Sequence, residues 1–182
     1  MSSQVRYRIG QFVRGWRARV SADDRALAGT VLSPGALALF ERMPADAQAH
    51  SLRVLKALVA EGETPPDLSV AALLHDVGKV AATEAGAYLG LWVRGPLVLL
   101  EAVRPALVRR WASAEPSPSL RYALYVHVEH PHIGAAWAQR AGCTDGVCWL
   151  IEHHQDKAPG GAMTAHGPWT LLTRLQWADG RN

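Results

Sequence analysis

The sequence predicts an all-α protein. Apolar residues recur at three- and four-residue spacing in one segment after another. Sustained period-two alternation and long Val/Ile/Thr runs, the marks of strands, are missing. Proline, glycine and capping residues punctuate the chain at intervals that suit short helices. At 182 residues, 49% apolar and 19% charged, the chain is long enough to bury a core and too apolar for disorder.

The elements follow in order. Val5, Ile9, Phe12, Val13, Trp16 and Val20 form a helical stripe, with Arg6, Arg14 and Arg17 off it. This reads as a basic amphipathic helix packed on the domain, weakened by Gly10 and Gly15. Peripheral membrane contact through residues 5–20 is the sharper alternative. Pro34 and Gly35 open a helix that runs to about Met43, before Pro44. Asp46 starts another, through about Ala60, with Leu52, Leu55, Leu58 and Val59 on its buried face. Asp67 is expected to cap the next helix. Its run from Val70 to Leu74 is apolar all round, so it should be central. Residues 82–126 should hold two or three helices, broken near Gly95-Pro96 and at 115–118. Pro131 fits the first position of a helix ending at Gly142. Thr144 or Asp145 caps a helix carrying Val147, Leu150, Ile151 and His154. Pro168 opens the last one, with Leu171, Leu172, Leu175 and Asp179 on a stripe. Residues 1–44 are thus an N-terminal amphipathic helical extension on a domain spanning 45–182.

Composition excludes several classes. Cys143 and Cys148 lack CxxC spacing, so neither a zinc ribbon nor a disulfide scaffold fits, and a reduced, cytoplasmic setting is expected. A net charge of +3 is too small to imply stable nucleic-acid binding. Arg6, Arg8, Arg14 and Arg17 interrupt the apolar runs that a signal peptide needs. Arg94, Pro96, Glu101, Arg104 and Pro105 break the most apolar stretch, Leu89 to Val108, so a membrane span is not expected.

The histidines ask for a chemical explanation. Six of eight lie between His127 and His166. His75-Asp76-Val77-Gly78-Lys79 ends the apolar helix, and a buried carboxylate there needs a cation or several donors. Adjacent helical residues diverge by about 100°, so His75 and Asp76 could share one ion, or Asp76 could bridge two. Lys79 follows at a spacing that returns to the same face. His50, His130 with Gly134 four residues on, the His153-His154 doublet and Asp179 each come from a different helix or helix end. Helical folds build metal sites in their cores in this way.

This ordered set resembles the HD-domain superfamily of metal-dependent phosphohydrolases. The resemblance covers residues 46–180 and rests on His50, His75-Asp76-Val77-Gly78-Lys79, His130-xxx-Gly134, His153-His154 and Asp179. It implies an HD-domain-like helical bundle over 45–182 with a binuclear metal site in its core. One ion would be held by His50, His75, Asp76 and Asp179. The other would take Asp76 as a bridge, His130, and one or both of His153 and His154. Lys79 would face a phosphate. The implied reaction is hydrolysis of a phosphate ester by a metal-activated water, with Asp76 and Lys79 as the catalytic pair and a small, nucleotide-like phosphorylated substrate. Two divalent transition-metal ions are expected, iron or manganese first, with zinc, cobalt or nickel as alternatives. Some relatives carry an acid for a third ion where Asp46 stands; Asp46 is read here as a helix cap. The Gly-Tyr-Pro motif of the cyclic-dinucleotide branch is absent after His154, which argues against a cyclic di-GMP phosphodiesterase. Two other readings remain: a di-iron oxygenase on the same ligand set, and a non-enzymatic binding module. His127 and His132 are read as structural and surface residues, and His166 as a solvated loop residue.

Overall fold

The computed structural model describes residues 20–87, 105–157 and 167–181. The stripe before Val20, the segment 88–104 and the Gly-rich stretch with His166 lie outside them. Among the described residues, regular structure is entirely helical. The all-α expectation therefore holds.

Helix α1, Ala22–Val31, was not foreseen from the sequence. Ser21 caps it, and the Asp24 carboxylate reaches back to the Ser21 N–H, so two orphan donors are satisfied reciprocally. Helix α2 is Pro34–Glu41, capped by the Ser33 hydroxyl, with Pro34 in its first turn. Helix α3, Ala45–Glu61, carries no side-chain cap. Asp46 lies inside its first turn rather than at the cap position, where it favours the helix dipole.

Helix α4, Pro66–Leu74, is the hub. Leu68, Ala71, Ala72, Leu73 and Leu74 are completely buried. Each leucine so buried contributes about 1.5–3 kcal/mol relative to exposure. Helices α1, α2 and α3, and the later α8 and α9, all pack on α4. Asp67 does not cap this helix. It sits in the first turn, and its carboxylate accepts from the Thr144 hydroxyl, which ties α4 to the start of α8.

After α4 the chain turns through His75 and Asp76 into a 3-10 turn, Val77–Lys79, and the short helix α5, Val80–Glu84. Helix α6 is Pro105–Trp111. Helix α7, Leu120–Arg140, has 21 residues and is capped by Ser119. Pro131 lies inside α7 and not at a helix start, a correction to the sequence expectation. Gly142, at φ +81°, follows the end of α7, as foreseen. Helix α8, Asp145–His153, is capped by Thr144, and α9 is Pro168–Arg181.

The 3-10 turn lies directly against α7. A Cβ on Gly78 would fall 2.1 Å from the His130 carbonyl oxygen and 2.8 Å from the Gly134 nitrogen. Only glycine allows that approach, and it brings Asp76 and His130 to one place. Among the described residues, no helix is long and apolar enough to cross a membrane.

Candidate metal centre

Five elements converge on one point in the core. Helix α3 brings His50, the end of α4 brings His75 and Asp76, α7 brings His130, the end of α8 brings His154, and α9 brings Asp179. Two groups of possible ligands result. His50, His75 and Asp76 form one, and Asp76, His130 and His154 the other; in each, the candidate donor atoms lie within 4.8 Å of one another. Asp76 belongs to both.

In the outer group, His50 Nε2 is 2.9 Å from Asp179 Oδ1. The same oxygen lies 3.6 Å from His75 Nε2, which is 3.8 Å from Asp76 Oδ2. In the deep group, Asp76 Oδ1 lies 3.5 Å from His130 Nε2 and 3.7 Å from His154 Nε2. The two imidazole nitrogens are 3.3 Å apart.

Backbone carbonyls set the tautomers. A carbonyl can only accept, so an imidazole nitrogen beside one must carry the proton. His75 Nδ1 donates to the Ala72 carbonyl at 3.0 Å, and His154 Nδ1 to that of Ile151 at 2.7 Å. Both acceptors lie in the last turn of a helix, where carbonyls run out of helical donors. His130 Nδ1 donates to the His127 carbonyl at 2.8 Å. That carbonyl sits four residues before Pro131, which has no N–H to give it. Pro131 inside α7 therefore frees the acceptor that orients His130. All three rings turn Nε2 toward Asp76, the nitrogen that carries the lone pair in a neutral ring.

This arrangement fits a cation. His75 Nε2 is buried and has no hydrogen-bond partner. His130 and His154 face each other lone pair to lone pair, which a proton or a metal ion must reconcile. Burial, with His75 beside it, pushes the His154 imidazole down to about 4, and burial likewise lowers His130. Burial thus disfavours a proton on either ring, and a metal ion between them is the other way to reconcile the two lone pairs. His75 differs: burial works against its charge, but Asp76 and Asp179 outweigh burial and raise it. Burial would raise the Asp76 carboxyl, yet Lys79, His75 and His130 hold it well below the carboxylate range. Asp179 is lowered too, because its hydrogen bond to His50 and the nearby His75 imidazole overcome burial.

His153 is not brought to the cluster. Its Nδ1 is 2.6 Å from Asp156 Oδ2, and its ring packs on Trp149 at 4.6 Å. Of the doublet, His154 alone joins Asp76. Lys79 donates to Asp76 at 2.7 Å while remaining 48% exposed. His132 lies at the surface beside Glu152, as expected. Sequence reasoning missed three contributions: the His127 carbonyl, Gln155, whose amide nitrogen lies 3.3 Å from His130 Nε2, and Gln176, which donates to the carbonyls of His154 and Asp156. Pro131 right after His130 was the one readable signal for the first.

A cleft of about 380 Å³ opens beside the outer group. His50, Asp76 and Lys79 form one side, Met43, Ala47, Ala123 and Val126 the apolar part, and Asp46, Thr83 and His127 add polar atoms. No family model matches the chain, and neither the curated proteins nor the solved structures contain a match. The site therefore stands on its own geometry: an all-helical protein with buried His/Asp groups able to bind a metal ion.

Proposed function

We propose that the chain is an HD-domain-type, metal-dependent phosphohydrolase that cleaves a phosphate ester of a small, nucleotide-like substrate. One observation carries the reading: Asp76 is shared by two ligand groups, and the buried imidazoles of both give Nδ1 to a backbone carbonyl and leave Nε2 facing the carboxylate. His50, His75, Asp76 and Asp179 would hold one divalent ion, and Asp76, His130 and His154 a second. The histidine-rich donor set suits iron or manganese, with zinc, cobalt or nickel as substitutes. Ions bound there would polarise a phosphoryl oxygen and lower the pKa of a water molecule toward neutrality.

The chain's own residues do the rest. Asp76, held ionised, is the common anchor of the two groups. Lys79 lines the cleft on a flexible stem, and its ammonium offsets charge that builds on a phosphoryl oxygen. Met43, Ala47, Ala123 and Val126 pack the organic part of the substrate and exclude water from it. The cleft falls within the roughly 300–1,000 Å³ usual for small-molecule sites. The sequence carries no GxSxG motif and no P-loop, so the reading needs no side-chain nucleophile.

The test is phosphate release from a panel of phosphomonoesters, nucleotides and phosphodiesters by protein loaded with Mn²⁺ or Fe²⁺. Turnover that depends on the metal and vanishes in Asp76→Asn is expected. A fully loaded protein that hydrolyses none of them overturns the reading.

A further inference from the structure

Gln155 follows His154 at the end of α8. The residue is exposed, yet its amide nitrogen reaches within 3.3 Å of the completely buried His130 Nε2. That nitrogen is an acceptor only, because His130 gives its single ring proton to the His127 carbonyl. Its other near neighbours are His154 Nε2 at 3.3 Å and Asp76 Oδ1 at 3.5 Å, and both carry lone pairs. The same logic settles which way the Gln155 amide points, since its oxygen would meet a third lone pair. Gln155 thus supplies the donor that His130 Nε2 accepts. One lone pair cannot serve an amide N–H and a metal ion together.

We propose that Gln155 gates the deep group: its amide donates to His130 Nε2 and must be displaced before a divalent cation can take that lone pair. This rests on the metal-centre reading above and adds to it a residue that competes with the cation for one buried acceptor at the edge of the solvent.

The experiment is calorimetric titration of Mn²⁺ into the chelator-stripped full chain, comparing wild type, Gln155→Ala and Gln155→Met. Removing a competing hydrogen bond should tighten Mn²⁺ binding by about threefold to tenfold. The tightening should fall on the site that His154→Asn removes. Because the amide satisfies a buried acceptor, the variants should melt somewhat below wild type in chelator. Weaker Mn²⁺ binding in the variants would make Gln155 a ligand and overturn the gate. Wild-type Mn²⁺ binding with unchanged variants would overturn the gate alone. A wild-type chain that takes up no Mn²⁺ would overturn the metal centre itself, and the gate with it.

Discussion

The two halves of the centre share Asp76 but hold their imidazoles differently. In the outer half, His50 hydrogen-bonds Asp179, and two carboxylates raise the His75 imidazole. The His75 Nε2 itself has no hydrogen-bond partner. In the deep half, His130 and His154 are buried, lowered and set lone pair to lone pair. The Gln155 amide reaches in as a donor to His130, and Lys79 donates to Asp76. A buried His/Asp pair can be purely structural when its own hydrogen bonds close. Neither half closes on itself: His75 Nε2 has no hydrogen-bond partner in the outer one, and His154 Nε2 meets only the His130 ring nitrogen in the deep one, so both argue for a cation.

The largest effect should come from the shared residue. Asp76→Asn is expected to leave neither half able to retain a metal, as read by elemental analysis of the purified variant. Two ions kept by Asp76→Asn would show that the halves are independent. Next, His154→Asn should cost one ion while the outer half still loads, and His50→Asn should cost the other. Equal loss in both would mean a single shared ion.

Gly78→Ala should lower stability by about 1–3 kcal/mol in denaturant unfolding, because a methyl group there drives the 3-10 turn off α7. The same shift separates Asp76 from His130, so the deep half should load more weakly than the outer one. An unchanged midpoint would mean the turn and α7 are not held in this contact.

Proton linkage sharpens the contrast in metal-free protein. The folded His154 imidazole is pushed down to about 4, against 6.5 for an ordinary histidine. As pH falls from 6.5 toward 4, the unfolded chain takes this proton first, so stability is lost over that window. The stability of wild type relative to His154→Asn should therefore fall between pH 6.5 and 4, by at most about 3 kcal/mol. A gap that stays flat over this window would mean His154 is not held neutral. The smallest effect is expected from His153→Ala, which should leave metal content unchanged, because His153 pairs with Asp156 and packs on Trp149. Loss of an ion in that variant would put His153 back among the ligands.

Much of the centre was legible in the sequence because its candidate ligands are rare residue types in a fixed order along the chain. His50, His75, Asp76, His130, His154 and Asp179 all meet where that order implied. The doublet was not resolved, since adjacent helical residues diverge by about 100° and the sequence does not say which one faces inward. Pro131 was misread because proline favours a helix start. Here tertiary packing keeps α7 going, and the imidazole of His130 repairs the lost bond. Asp67 and Asp46 look like caps, yet both lie one position inside their helices, where Asp67 binds Thr144 and Asp46 lines the cleft. Gln155 carries no signal of its own: its role comes from a neighbour 25 residues earlier in the chain.

The most direct test is metal stoichiometry, by elemental analysis of wild-type protein purified with neither added metal nor chelator. The account predicts two transition-metal ions per chain. A metal-free protein that also takes up neither manganese nor iron on reconstitution would contradict it.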